Sequence, residues 1–165
     1  MIYIGIGSNL NGNNNETPLQ NCKNAIKELK KEVKVCNVSS WYKSEPIPIS
    51  CQPWYINGVA EISTNKSSLE LLEFILNIEE FFGRLRKKKN EARIIDLDII
   101  DYKRKILYKK KKLITPHPRM HERSFVLLPL KELNPKWVHP IKKKGLEELI
   151  RNLNDRQKIL KISKK

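Results

Sequence analysis

Asp96 and Asp98, separated by one residue, lie in a stretch that runs from Arg93 through Ile94, Ile95, Asp96, Leu97, Asp98, Ile99 and Ile100 to Asp101. The run is short, rich in β-branched residues and bounded by polar segments, so it reads as a buried strand rather than a helix. Strand side chains alternate faces, which puts Asp96 and Asp98 on one side and Ile95, Leu97 and Ile99 on the other. Two carboxylates converging on a cleft suit magnesium, a hard ion commonly held by one or two carboxylates together with the phosphates of a substrate. Arg93, at the head of the strand, is placed to reach the same phosphates. A merely solvated strand face would carry the same Asp-x-Asp pattern, so the surrounding residues decide between the two readings.

Those surroundings begin with Ile2 to Ser8, a first buried strand. Its Gly5-x-Gly7 lacks the third glycine of a dinucleotide fingerprint, and the chain contains no Gly-Lys-Ser/Thr phosphate loop. Thr17 followed by Pro18 predicts a helix start, and Leu19, Cys22, Ile26 and Leu29 continue it at helical spacing to about Lys31. Val33 to Tyr42 and Tyr55 to Thr64 read as a second and third strand. Between them, Lys43 to Trp54 holds Pro46, Pro48 and Pro53, which cannot donate to a central ladder, so this segment is a long loop of the functional kind. Ser67 or Ser68 caps a second helix carrying Leu69, Leu72, Ile75, Leu76, Glu79 and Phe82, and Gly83 ends it. A cationic run with Arg84, Arg86, Lys87, Lys88 and Lys89 then leads into the Asp-x-Asp strand.

Strand, helix, strand, strand, helix, strand is the order of a ferredoxin-like α+β unit, an antiparallel βαββαβ sheet with both helices on one face. From about Lys103 a C-terminal extension packs beside it. This extension comprises a basic hairpin over Asp101 to Lys112 around Ile106 and Leu107, a proline-rich turn at Thr115 to Met120, a short apolar helix through Phe125, Leu127, Leu128 and Leu130, a last helix over Gly145 to Leu153, and a mobile basic tail at Lys161 to Lys165. His117 and His121 are four apart, but Pro118 between them argues against a helical zinc pair.

The 165 residues are enough for one domain with a sizeable core and are expected to form a single domain, 1–165. No window approaches a membrane span, and the apolar start is not followed by the pattern of a leader. Cys22, Cys36 and Cys51 are odd in number and scattered, which predicts a reducing cytoplasm rather than a disulfide framework. The net charge of +15 comes from 25 Lys and 8 Arg alongside many Ile and Asn. Such a surface attracts polyanions in general, and the expectation is of small anionic substrates, no specific nucleic acid, no membrane, and a monomer.

Taken together, the pieces Ile6-Gly7-Ser8-Asn9-Leu10, Ser39-Ser40-Trp41-Tyr42, Tyr55-Ile56-Asn57, Ile78-Glu79 with Gly83-Arg84-x-Arg86, Arg93-x-x-Asp96-Leu97-Asp98-Ile99, and Pro116-His117-Pro118-Arg119-Met120 with Arg123 and Phe125 resemble the 6-hydroxymethyl-7,8-dihydropterin pyrophosphokinases of folate biosynthesis. The resemblance implies transfer of the β,γ-pyrophosphoryl group of ATP to the pterin hydroxymethyl oxygen, releasing AMP. It implies that Asp96 and Asp98 hold two magnesium ions and, with Arg84 and Arg93, form the catalytic set. By the same resemblance Arg86, Lys87, Ile99, Lys112, His117 and Arg123 contact ATP, while Ser44, Ile47, Tyr55, Asn57, Phe125 and Glu79 contact the pterin, with Tyr55 and Phe125 as its sandwiching rings. Phosphoryl transfer demands mostly positioning and charge neutralisation, which metals and guanidinium forks supply.

In three places the chain departs from the family pattern. Asn90-Glu91-Ala92 stands where a Trp-Gly-Pro stretch is usual, Pro118 replaces a common tyrosine, and Glu45 occupies a position that is often proline. Two rivals are set against this reading. A ferredoxin-like basic RNA-binding module would carry an RNP-like aromatic pattern on its central strands, which no strand here has. A pterin binder without catalysis would have no need of Asp96, Asp98, Arg84 and Arg93 together.

Overall fold

The computed structural model describes residues 1–83, 92–109, 112–153 and 157–162. Strand β1 (Ile2–Ser8) lies at the centre, flanked on one side by β5 (Asp96–Tyr102) and on the other by β4 (Tyr55–Ser63), both antiparallel to it. Beyond β4 come β2 (Lys34–Val38) and β3 (Tyr42–Ser44), and β8 (Ile159–Lys161) adds to β3. The expected single strand over Val33 to Tyr42 is therefore two. The break falls at Ser39, whose backbone N–H donates to the Val59 carbonyl while its Oγ accepts the Val59 N–H, so local pairing at this point runs through a hydroxyl.

Helices α1 (Pro18–Leu29) and α2 (Ser68–Phe81) cover one face of the sheet, as the strand order predicts. Thr17 caps α1 by accepting the Gln20 N–H. Ser67 and Glu70 form a reciprocal capping box at the start of α2, which satisfies two amide donors that a helix end otherwise leaves bare. Ile2, Ile4 and Ile6 of β1, Ile62 of β4, and Ile95, Leu97 and Ile99 pack here against Cys22, Ala25, Leu29, Leu71 and Ile75.

The opposite face divides. Its lower half is covered by α3 (Ser124–Leu133) and α4 (Leu146–Arg151), which bury Tyr3, Val59, Ile100, Met120, Leu127, Leu130 and Trp137. A bulge makes this possible. Tyr3 pairs with Asp101 but Ile4 pairs with Ile99, so β5 carries one residue more than β1 at that point, and Ile100 and Asp101 both turn to the α3 side. Asp101 is fully buried there; its Oδ2 accepts Trp137 Nε1–H at 2.7 Å and its Oδ1 accepts the Arg104 N–H at 2.9 Å. Burial raises its pKa, and the two donors offset part of that rise.

The basic hairpin forms later than its sequence suggests. Strand β5 continues to Tyr102, the chain turns at Lys103 and Arg104, both at positive φ, and β6 (Leu107–Lys109) then pairs with β7 (Leu113–Thr115). One 3-10 turn at Met120–Glu122 precedes α3. The tail from Lys161 is not wholly free, because Lys161 belongs to β8; positions 163–165 lie outside the described residues. No helix among the described residues is long and apolar enough to cross a membrane.

Candidate active site

The upper half of this second face is open, and a cleft of about 620 Å³ lies on it. Sheet register explains its floor. Gly7 pairs with Asp96 on one side and with Asn57 on the other, and Gly5 pairs with Asp98 and Val59. Alternation turns Asp96, Asp98, Asn57 and both glycines to this face. Side chains at the glycine positions would fill it: a Cβ on Gly7 would come within 3.0 Å of Asn57 Oδ1, and one on Gly5 within 3.0 Å of Ile100 Cδ1. Gly5-x-Gly7, too short for a dinucleotide fingerprint, thus forms a flat floor between the carboxylates and the amide.

One wall is anionic and cationic in close alternation. Arg93 Nη1 lies 2.8 Å from Asp96 Oδ1, and Arg123 Nη1 lies 4.0 Å from Asp98 Oδ2. Burial works against the Arg93 cation, but Asp96 more than compensates, so its pKa is raised overall. For Arg123, burial and then the neighbouring Arg119 lower the pKa, although a guanidinium stays charged at neutral pH. His117 is pushed down to about 4 by burial, then by Arg123 and Arg119. Its Nδ1 accepts the Arg119 N–H at 3.2 Å, which assigns the proton of the neutral ring to Nε2.

The other wall is built from β3, β4, the loop between them and, at one end, the start of α3. Asn57 and Ser44 are buried, and Asn57 Nδ2 donates to Ser44 Oγ at 2.8 Å. Ile47 is half exposed on the loop, Tyr55 Oη donates to Gln52 Oε1 at 3.4 Å, and Phe125 lies with its ring under the Arg123 guanidinium, 5.5 Å from centroid to Cζ. Ser44, Ile47, Tyr55, Asn57, Arg93, Asp96, Asp98, His117, Arg123 and Phe125 all line the one cleft.

The remaining expected residues are placed elsewhere. Glu79 is 2% exposed on α2 and accepts the Leu97 N–H at 2.7 Å, on the helix side of the strand that bears the two aspartates. Ile99 turns into the core beneath α1 and α2, as the alternation that exposes Asp98 requires. Lys112 is exposed at the tip of the β6–β7 hairpin. None of these three lines the cleft. Arg84, Arg86 and Lys87 lie outside the described residues.

Asn9 emerges as a positioning residue that sequence reasoning did not single out. It is 1% exposed; its Oδ1 accepts the Arg93 N–H at 2.8 Å, its own N–H donates to the Arg93 carbonyl at 3.1 Å, and its Nδ2 donates to Gln52 Oε1 and to the Pro53 carbonyl. One amide therefore fixes Arg93 against the loop that precedes Tyr55. The signal was present in the Gly7-Ser8-Asn9 segment, but its partners lie too far along the chain for spacing to name them. Arg119 likewise lines the cleft without having been expected there.

The donor set fits magnesium. Asp96 and Asp98 offer only carboxylate oxygens, their side chains keep 25% and 42% of their exposure, and the floor between them is clear of side chains. Magnesium commonly takes one or two carboxylates, with substrate phosphates and water completing its shell; among the described residues no group of three or more His, Cys, Asp or Glu is placed to hold a metal ion.

A sequence model of the 7,8-dihydro-6-hydroxymethylpterin-pyrophosphokinase (HPPK) family matches residues 3–135. The 2-amino-4-hydroxy-6-hydroxymethyldihydropteridine pyrophosphokinase of Haemophilus influenzae is 36% identical over 163 residues, 98% of this chain and 97% of that protein. The enzyme of the same name from Synechocystis sp. is 39% identical over 92% of this chain and 75% of its own length. Against the folic acid synthesis protein FOL1 of Dictyostelium discoideum the identity is 38% over 85% of this chain, which spans only 20% of that protein. Among solved structures, an HPPK-DHPS triple mutant from Plasmodium falciparum superposes with a TM-score of 0.66 over 91% of this chain and 43% of its own; at 15% identity it speaks for the fold.

Proposed function

Because the chain belongs to the 7,8-dihydro-6-hydroxymethylpterin-pyrophosphokinase family, it is an ATP-dependent enzyme that transfers pyrophosphate to 6-hydroxymethyl-7,8-dihydropterin in folate synthesis, and we propose that the cleft over β1, β4 and β5 is where it does so. The observation that carries this assignment is the row Asp96, Gly7, Asn57. Carboxylates for a metal–phosphate group and an amide for a heterocycle edge share one floor, a single strand apart.

In this reading the pterin stands between Tyr55 and Phe125, where stacking adds on the order of 1 kcal/mol per aromatic pair beyond burial. Asn57, oriented by Ser44, presents its amide to the ring edge, and Ile47 closes the loop side. Arg93 and Arg123 hold the triphosphate, and neutral His117 adds an Nε2–H donor without adding a charge. Arg84, Arg86 and Lys87 are assigned to the triphosphate by resemblance, as are Ile99 and Lys112 to ATP and Glu79 to the reacting end of the pterin, although Glu79 and Ile99 lie on the helix side of β5 and Lys112 at the hairpin tip, outside the cleft lining.

Bound magnesium, taken as two ions held by Asp96 and Asp98, supplies charge neutralisation and alignment of the phosphates. The hydroxymethyl oxygen forms its bond to the β-phosphorus and gives up its proton to solvent, the bond from that phosphorus to the α,β-bridging oxygen breaks, and AMP departs with the electron pair. The enzyme's part is to hold the two reactants in line and to keep the phosphate charge compensated while this happens.

The reading takes residues 1–165 as one cytoplasmic, monomeric pyrophosphokinase domain acting on small molecules, and the near end-to-end match to the Haemophilus relative supports the extent. An RNA-binding role is not favoured, since the sheet face such modules use is here half covered by α3 and α4. The experiment is direct: incubate the protein with the pterin and MgATP and separate the nucleotides. AMP with pterin diphosphate, abolished by chelating magnesium, is the expected result; ADP instead of AMP would refute it.

A further inference from the structure

The chain beyond residue 135 lies outside the segment matched by the family model, yet its last described stretch returns to β3, whose Ser44 lines the cleft. Strand β8 pairs with β3 in the register Tyr42 with Lys161, Lys43 with Leu160, and Ser44 with Ile159. The pairing continues one step further. The Glu45 N–H donates to the Lys158 carbonyl at 3.1 Å, and Glu45 Oε2 accepts the Lys158 N–H at 3.0 Å. Gln157 then spans a gap between two segments distant in sequence: its Nε2 donates to the Glu45 carbonyl at 2.8 Å and its Oε1 accepts Ser124 Oγ–H at 2.6 Å.

Both partners sit beside the proposed pterin slot. Glu45 begins the loop whose Pro46, Ile47 and Gln52 line the cleft, and Ser124 stands between Arg123 and Phe125 at the first turn of α3. One amide thus joins the loop wall to the ring wall. The backbone pairing beside this link, though not the link itself, uses a departure of this chain from its family. A proline at position 45 would have no N–H to give Lys158 and no carboxylate to receive its amide, whereas Glu45 provides both.

We propose that Gln157 is a positioning residue for pterin binding, fixing the start of the 45–54 loop relative to Phe125. The inference rests on the pterin-slot reading above. An amide suits the position because it offers a donor and an acceptor at equal reach, and the two partners require one of each. Holding the two walls in place before the ligand arrives removes an ordering cost from binding. ATP is assigned to Arg93, Arg123 and the metal site, whereas the link's partners are Glu45 and Ser124, so ATP affinity should depend on the link less than pterin affinity does.

The test compares the full-length protein with Gln157→Leu, which keeps the bulk and removes both hydrogen bonds, and with the pair Gln157→Leu/Ser124→Ala. Pterin affinity is measured by titration in the presence of magnesium and a non-hydrolysable ATP analogue, together with the KM for ATP and the thermal midpoint. Gln157→Leu should weaken pterin binding about five- to tenfold, the effect of losing one or two ordinary hydrogen bonds. The KM for ATP should stay within about twofold, and adding Ser124→Ala should cost little more because both act through one link. Unchanged pterin affinity would overturn the proposal, as would equal losses for both ligands accompanied by a lowered midpoint, since that pattern belongs to a strand that only stabilises the fold. Tyr55→Ala serves as the control. If it too leaves pterin affinity intact, the slot assignment itself fails and the link with it, whereas a weakened Tyr55→Ala beside a normal Gln157→Leu refutes the link alone.

Discussion

Replacing Asn57 by alanine tests the pterin side of the cleft at a buried amide. Asn57 is 6% exposed and Ser44 1%, and the two are joined by the 2.8 Å bond from Nδ2 to Oγ. The substitution removes the amide that faces the heterocycle and leaves the Ser44 hydroxyl without its donor, so the bound ligand's polar edge loses a partner in a site that water enters poorly. An unsatisfied group of this kind costs about 1–3 kcal/mol, a factor of roughly 5 to 150 in the dissociation constant. Ser44→Ala removes only the acceptor that orients Asn57 and should cost less, about 0.5–1.5 kcal/mol. If Ser44 works through Asn57, the double variant binds the pterin no more weakly than Asn57→Ala alone. Isothermal titration with pterin, and separately with an ATP analogue, measures all four proteins. Strictly additive losses, or an equal loss for the nucleotide, would refute the reasoning, because either would mean that the two residues do not form one pterin-specific unit.

Asp96→Asn and Asp98→Asn should each abolish most AMP formation while leaving the circular dichroism spectrum and thermal midpoint near those of the parent protein, since both carboxylates lie on the open half of the sheet face; full activity in either would remove it from the metal site. Trp137→Phe should lower the free energy of unfolding in urea by about 1–3 kcal/mol, because Asp101 Oδ2 then loses its donor inside the α3 layer; an unaltered denaturation curve would show that the carboxylate finds another partner. His139 should contribute an acid-side loss of stability. Its pKa is lowered to about 4 by burial, then by His121 and Lys142, and its Nδ1 accepts the Ile141 and Lys142 N–H groups. The folded value lies below the ordinary one near 6.5, so the stability is fully present above about pH 6.5 and is lost as pH falls towards 4, at up to about 1.4 kcal/mol per pH unit. His139→Asn should flatten the decline of urea midpoints between those pH values; an unchanged slope would refute the assignment.

Much of the frame was legible because local signals and tertiary demands agree. Thr17-Pro18 and Ser67 announce their helices, and the alternation of Ile2, Ile4 and Ile6 with Tyr3, Gly5 and Gly7 is both a strand pattern and a map of which face is core. The Asp-x-Asp pair was readable for the same reason. What stayed hidden depends on partners remote in sequence. The bulge that turns Ile100 and Asp101 to one side is a register shift against β1 between Tyr3 and Ile4, and the division of Val33 to Tyr42 comes from a serine that takes over a backbone pairing. The pairing of β8 with β3 joins residues more than a hundred positions apart, and nothing in the Lys-rich tail marks it. In the site, family register located the cleft-lining residues, whereas Asn9 and Arg119 required the packed chain.

Glu79 has a bearing on how copies of this protein behave towards one another. Strand β5 is the last strand on its side of the sheet, and a terminal strand with free outward amides invites a second chain to extend the ladder. Here the outward Leu97 N–H is already taken by a buried carboxylate reaching over from α2. At the other margin, β8 carries Lys158 and Lys161 in and beside its short run, but Lys161 Nζ pairs with Glu132 Oε1 at 2.6 Å and the Lys158 N–H donates to Glu45 Oε2 at 3.0 Å, so this edge is of mixed charge. Colloidal behaviour at high concentration should accordingly depend on Glu79, whose buried carboxylate, sheltered from salt, keeps the Leu97 amide from a second chain.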